Sequence, residues 1–120
     1  MDTSPESLAT ILAKTGVPQA QRHAFLCLGP NCCHREESQQ VWDTLKRLIK
    51  ELNVPALRTK AECLRVCRGG PILVVYPEGT WYAGVTPNRC ERIVREHLLG
   101  GQPVEEWLIA RHPLEPADSA

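Results

Sequence analysis

Three cysteines fall within seven positions in FLCLGPNCCHRE, residues 25–36, and two more stand in AECLRVCRGG, residues 61–70. Cys27 and Cys32 are separated by LGPN, and Cys63 and Cys67 by LRV, so each pair sits in a short loop bounded by Gly or Pro. A loop that short brings both sulfurs to one side, and two such pairs supply four thiolates. Four thiolates can hold one zinc ion or an iron–sulfur cluster. In a [2Fe–2S] cluster each iron takes two protein thiolates beside two bridging sulfides, which asks for one pair per iron. A zinc ion would accept the same four ligands. The spacing departs from that of plant-type ferredoxins, and the second Cys-His pair of a Rieske site is absent from the sequence. Cys33 stands beside Cys32 and could reach the same metal, so it is kept as the alternative to Cys32. Burial as small hydrophobes, the usual fate of free cysteine, suits these positions poorly, because core residues do not gather in Gly/Pro-bounded loops.

The chain around these loops has 120 residues and a formal charge of zero. That length suits one domain with its own core, and the charge points to no nucleic acid and no membrane surface as the main partner. The start, MDTSPESLATILAKTG, lacks a basic or long apolar segment, and no stretch reaches the ~20 apolar residues of a membrane span. A cytoplasmic protein is expected. In a reducing compartment six cysteines are better explained by metal binding, redox catalysis or burial than by a disulfide framework.

The elements that must position the loops can be read from period and punctuation. Ser4 and Pro5 suit the start of a leading helix with Leu8, Ile11 and Leu12 on one stripe and Gly16 at its end. HAFLCL, residues 23–28, suits a buried strand ending at the first cysteine loop. From Ser38, Val41, Leu45, Leu48, Ile49 and Leu52 recur at helical spacing. PALRTK is extended, PILVVYP is a β-branched buried strand, and TWYAGV returns as the second arm of a hairpin. Thr86 and Pro87 open a last long helix carrying Cys90, Ile93, Val94 and Leu98, closed by Gly100 and Gly101. The tail adds at most one short element. This order predicts an α/β fold, one mixed sheet with helices on both faces, in a thioredoxin-like arrangement. The boundaries expected are a helical leader at 1–20, the domain at 21–110 and a tail at 111–120.

CLGPNC, then CLRVC with GGPILVVYPEGTWYAGVTP directly behind it, resembles the thioredoxin-like [2Fe–2S] ferredoxins from about His23 to Ile109. The four-cysteine pattern is also similar to that of the small iron–sulfur subunit of respiratory NADH:quinone oxidoreductase. The resemblance implies a homodimer-prone electron carrier whose [2Fe–2S] cluster lies near the surface, with Cys27, Cys32, Cys63 and Cys67 as ligands. Cys32 is preferred to Cys33 because its spacing agrees with the respiratory subunit.

The expected function is therefore one-electron transfer between redox partner proteins, a donor reductase and an acceptor, with no bond chemistry on a substrate and no catalytic residue. Arg65, Arg68 and Arg35 flank the ligand pairs, where cations stabilise a reduced cluster or steer an acidic partner, or are simply solvated. Cys90 lies on a helical apolar stripe and reads as a packed thiol, His34 as a solvated loop residue, and Trp81 and Tyr82 as hairpin packing or a dimer contact. Two other functions compete. A thiol–disulfide oxidoreductase would want a two-residue-spaced pair at a helix N-terminus, and a zinc-stabilised interaction module would use the same four sulfurs.

Overall fold

A computed structural model of the chain describes residues 7–30 and 33–114. Helix α1 (Leu8–Thr15) is capped by the Ser7 side chain, which accepts from the Thr10 amide, and Gly16 ends it in the left-handed region. The Ser4 and Pro5 start lies outside the described residues. A single 3-10 turn, Val17–Gln19, leads into strand β1 (Arg22–Cys27). Helix α2 (Arg35–Glu51) follows the first cysteine loop, and strand β2 (Ala56–Ala61) precedes the second. Strands β3 (Leu73–Tyr76) and β4 (Thr80–Tyr82) form the hairpin. Helix α3 (Pro87–Ile93), capped by Thr86, runs on through a wider π-helical turn, Val94–Leu99. The tail contributes a 3-10 turn, Glu105–Trp107, and a fifth strand, β5 (Leu108–Arg111).

The strands form one mixed sheet in the order β2-β1-β3-β4-β5, with β1 and β2 parallel and the other neighbours antiparallel. Alternation along each strand splits the side chains between two faces. Ala24 and Leu26 of β1, Leu73 and Val75 of β3 and Tyr82 of β4 point to one face. There they form a core with Val41, Leu45 and Leu48 of α2 and Cys90 and Ile93 of α3. The Cys90 sulfur reaches the Val41 carbonyl at 3.8 Å, so the two long helices lie side by side over the same face. The α/β mixed sheet expected from the sequence is present, with these two helices on one of its faces. An apolar stripe says that a helix buries one side, but not which side of a sheet receives it.

The opposite face carries His23 and Phe25, stacked with ring centroids 4.2 Å apart, and Tyr76 edge-on to Phe25. Trp81 and Ala110, paired across β4 and β5, belong to it as well. A depression of about 460 Å³ between Val66, Tyr76, Trp81, Ile109 and Leu114 opens on this side. Cys27 follows Phe25 by two positions, and so the last side chain of β1 on this face is a cysteine.

Candidate metal centre

Two loops distant in sequence meet because β1 and β2 are parallel and end together. Cys27 stands opposite Ala61, two residues before Cys63. The Cys27 amide donates to the Ile72 carbonyl at 3.0 Å and the Leu28 amide to the Ala61 carbonyl at 2.8 Å, which fixes where the first loop leaves the sheet. The Cys27 sulfur then lies 4.0 Å from the carbonyl oxygen of Glu62, at the start of the second loop. Cys27 is almost fully buried, 3 % exposed.

The second loop alternates in character. Leu64 and Val66 turn in against Ile72, Trp81 and Ala83, a small second core that also holds Cys27 and Cys33. Cys63, Arg65, Cys67 and Arg68 are left exposed. Positive φ at Arg65 (68°), Cys67 (63°) and Gly69 (72°) curls the chain so that this division is possible. A side chain with a Cβ enters that region at a cost, and such residues concentrate where a site dictates the backbone. The Arg65 amide donates to the Cys63 sulfur at 3.2 Å. A hydrogen bond with Cys63, and then the charge of Cys63, push the Cys67 thiol up, while Arg65 and Arg68 pull it down. The loop exit is pinned by amides of Gly84 and Val85 donating to the carbonyls of Gly69 and Pro71 at 2.7 and 3.0 Å.

Of the residues singled out in the sequence, the structure places Cys63 and Cys67 in one loop and Cys27 at the neighbouring strand end, its sulfur against the Glu62 carbonyl. Cys32 lies outside the described residues. Among the described residues no three metal-binding side chains converge on one ion. Cys33 is half-buried, its sulfur 2.8 Å from the Ser38 hydroxyl. Cys90 is fully buried and its thiol is pushed up to about 12 by desolvation, as a packed core thiol should be. His34 is exposed and precedes α2 without a side-chain capping bond. The donor set left in the two loops is all sulfur, which suits zinc or an iron–sulfur cluster and no hard cation.

A second polar group of residues, of which Tyr82 alone is singled out in the sequence, lies under the hairpin. Fully buried His97 is 2.8 Å from the Tyr82 hydroxyl through Nδ1 and 3.1 Å from Glu78 through Nε2. The Tyr82 oxygen accepts from the Val104 amide, and Arg22 pairs with Glu78 at 3.0 Å. Burial holds His97 below its ordinary 6.5, against the pull of Glu78. Burial alone would raise Glu78, but the hydrogen bonds from Arg22 and His97 outweigh it and hold its carboxyl below 4.5. Both folded-state values are depressed, so the unfolded chain binds more protons as the medium turns acid, and stability present above these ordinary values is lost below them. The urea midpoint is expected to fall from below pH 6.5 and again below pH 4.5. His97→Gln should flatten the first part of that fall, and an unchanged profile would remove His97 from the account.

No protein-family model matches the chain. Among curated relatives, a 2Fe-2S ferredoxin of Aquifex aeolicus is 32 % identical over 100 residues, covering 75 % of this chain and 90 % of the relative. A 2Fe-2S ferredoxin of Clostridium pasteurianum is 30 % identical over 98 residues, covering 74 % and 96 %. Among solved structures, a thioredoxin-like [2Fe-2S] ferredoxin from Aquifex aeolicus superposes with a TM-score of 0.69 at 31 % identity, covering 84 % of this chain and 99 % of that one. Two further structures are serine variants of that ferredoxin at two cysteines with three residues between them, the separation of Cys63 and Cys67 here.

Proposed function

Because the chain belongs to the thioredoxin-like [2Fe–2S] ferredoxins, we propose that it carries one electron at a time on a cluster held by Cys27 and Cys32 in the first loop and Cys63 and Cys67 in the second. The observation that supports this ligand set best is the shared end of β1 and β2, which puts the Cys27 sulfur against the residue before Cys63. The bound cluster supplies a one-electron redox couple without bond chemistry on a substrate. The chain does the rest. Exposed Cys63 and Cys67 bring one edge of the site to the surface, within reach of a donor or acceptor protein. The Arg65 amide donates to sulfur, and amide bonds to ligand sulfurs raise a reduction potential. Arg65 and Arg68 offset negative charge that grows on reduction. The partners are redox proteins, a reductase on one side and an acceptor on the other. No helix among the described residues is long and apolar enough to cross a membrane.

The reading is tested by anaerobic purification, with iron, zinc and acid-labile sulfide counted on one sample beside its visible spectrum. Two irons and two sulfides per chain, with bands that bleach on dithionite, are expected. Stoichiometric zinc without sulfide would make the chain a zinc-stabilised module, and no metal at all would favour a thiol redox protein.

Self-association is the finer part of the proposal. The uncovered sheet face, with half-buried Trp81 and with Ile109 and Leu114 at 54 % and 78 % exposure, offers an apolar contact beside the second cysteine loop. Trp81→Glu is expected to convert a dimer to a cluster-loaded monomer by light scattering. A dimer of unchanged mass would place the contact elsewhere.

A further inference from the structure

Charge is balanced over the whole chain, which is formally neutral, but not along β2 and the second cysteine loop. Arg22, Arg47, Arg92, Arg95 and Arg111 each pair with a carboxylate. Between residues 58 and 68, four cations, Arg58, Lys60, Arg65 and Arg68, stand against one carboxylate, Glu62. Among the described residues none of the four forms an ion pair. Arg58 and Lys60 lie opposite Ala24 and Leu26 of β1, so both side chains fall on the helical face of the sheet. There Trp42 of α2 gathers them, with the Arg58 guanidinium 5.1 Å and the Lys60 ammonium 5.4 Å from the centre of its ring. Two like charges over one ring repel each other, and no acid of the chain offsets them. β2 is an edge strand, so no other strand covers its outer side. It also runs straight to the site. At about 3.3 Å per residue, Arg58 and Lys60 stand within roughly 10 Å of the strand end at Ala61, opposite Cys27. Past that end, Arg65 and Arg68 are exposed beside Cys63 and Cys67.

We propose that Arg58 and Lys60, gathered by Trp42, form with Arg65 and Arg68 one basic strip on which a redox partner docks, and that this partner presents a cluster of carboxylates. The inference rests on the electron-carrier reading and adds the side from which the partner approaches and the charge it carries. Carboxylates laid along the strip relieve the repulsion over Trp42 and bring the partner to the exposed edge of the site. Complementary charge of this kind acts on the rate and orientation of encounter more than on affinity, which suits a carrier that binds, passes one electron and leaves. Arg35 belongs to the other loop, where Glu36 and Glu37 follow it and leave no excess of positive charge.

The test uses the cluster-loaded full chain, a dye-labelled polyglutamate peptide, and two small oxidants of opposite charge, the cobalt(III)–EDTA anion and the hexaamminecobalt(III) cation. Each oxidant takes one electron from the reduced chain as cobalt(III) becomes cobalt(II). Iron and sulfide are counted on every sample. By fluorescence anisotropy the peptide is expected to bind the unaltered chain and to be released as salt rises from about 20 to about 200 mM, where screening shortens the reach of exposed charge. Arg58→Gln/Lys60→Gln should weaken the peptide by about tenfold, the scale of two exposed ion pairs, while keeping its iron and its reduction potential. In anaerobic stopped flow the same variant should pass its electron more slowly to the anion and faster to the cation. Arg95→Gln/Arg111→Gln removes the same charge from the π-helical turn and from the opposite edge strand, and should change neither reading. Equal weakening in the two double variants would show that net charge alone holds the peptide, and would overturn the strip. A loaded chain that ignores the peptide, or rates toward both oxidants that Arg58→Gln/Lys60→Gln leaves unchanged, would overturn it too, leaving Arg58 and Lys60 as charges that keep the sheet edge from pairing. If that double variant fails to fold by far-ultraviolet dichroism, Lys60→Gln, at an exposed position, decides by the same readings. An unaltered chain without iron and sulfide would remove the electron-carrier reading itself, a result distinct from any of these.

Discussion

Cys63→Ala and Cys67→Ala are each expected to fold like the unaltered chain and to lose the cluster, with iron falling from two per chain toward none and the visible bands disappearing. Two physical facts separate these outcomes. Both side chains are exposed, so neither contributes packing. The loop is anchored without them, by Leu64 and Val66 on the inside and by the amides of Gly84 and Val85 at its exit. Metal-free forms of the variants should therefore unfold in urea at the midpoint of the metal-free parent. Each iron, by contrast, depends on two protein thiolates, and alanine offers no donor in place of a lost one. Cys90→Ala is the opposite case. Its sulfur is buried beneath α2 and away from the loops, so iron content should not change, while stability falls by about 1 kcal/mol for the small cavity left behind. A fully loaded Cys63→Ala or Cys67→Ala protein would remove that residue from the ligand set.

Much of the arrangement is legible in the chain because local signals and burial agree. The stripe of α2, the β-branched β3, the Thr86-Pro87 start of α3 and the left-handed Gly16 each have one local solution, and the structure adopts it. The parts not legible are those set by contacts between elements. Parallel pairing of β1 with β2 decides that the two cysteine loops meet, yet PALRTK carries no mark of its neighbour. Both helices cover one face because α2 and α3 pack on each other through Val41 and Cys90, a contact between residues 49 positions apart. The tail becomes an edge strand, β5, only because β4 offers it an open edge. Ser38 and His97 stand where apolar residues are expected, and such a polar residue on a buried stripe is a signal in its own right. A buried polar group needs partners, and these two have them in Cys27 and Cys33, and in Tyr82 and Glu78.

Gly29→Ala should cost the chain its cluster without touching a ligand. Gly29 has φ of 82°, a conformation that alanine adopts at a cost of about 1 kcal/mol. The larger effect is steric. A Cβ at this position would fall on the carbonyl oxygen of Cys33, backbone against backbone, so no rotation of a side chain can relieve it. One of the two segments must move. Cys27, two residues before Gly29, is held by the sheet through its amide bond to Ile72, whereas the segment at Cys33 lies outside the sheet, its sulfur against the Ser38 hydroxyl. The displacement therefore falls on the Cys33 side of the loop, next to the position assigned to the second ligand. Far-ultraviolet dichroism should be close to that of the parent, because the helical-face core lies away from this loop. Iron and sulfide content should fall well below stoichiometric, with the remaining cluster lost to a chelator at least tenfold faster, the scale on which misplaced ligand supports act. Gly16→Ala is the control. It has a similar φ of 89° but nothing within 4 Å of its Cβ, so it should lose about the same backbone energy and none of the cluster. Equal retention of iron in the two variants would show that the close approach of Gly29 to Cys33 is not what shapes the first loop.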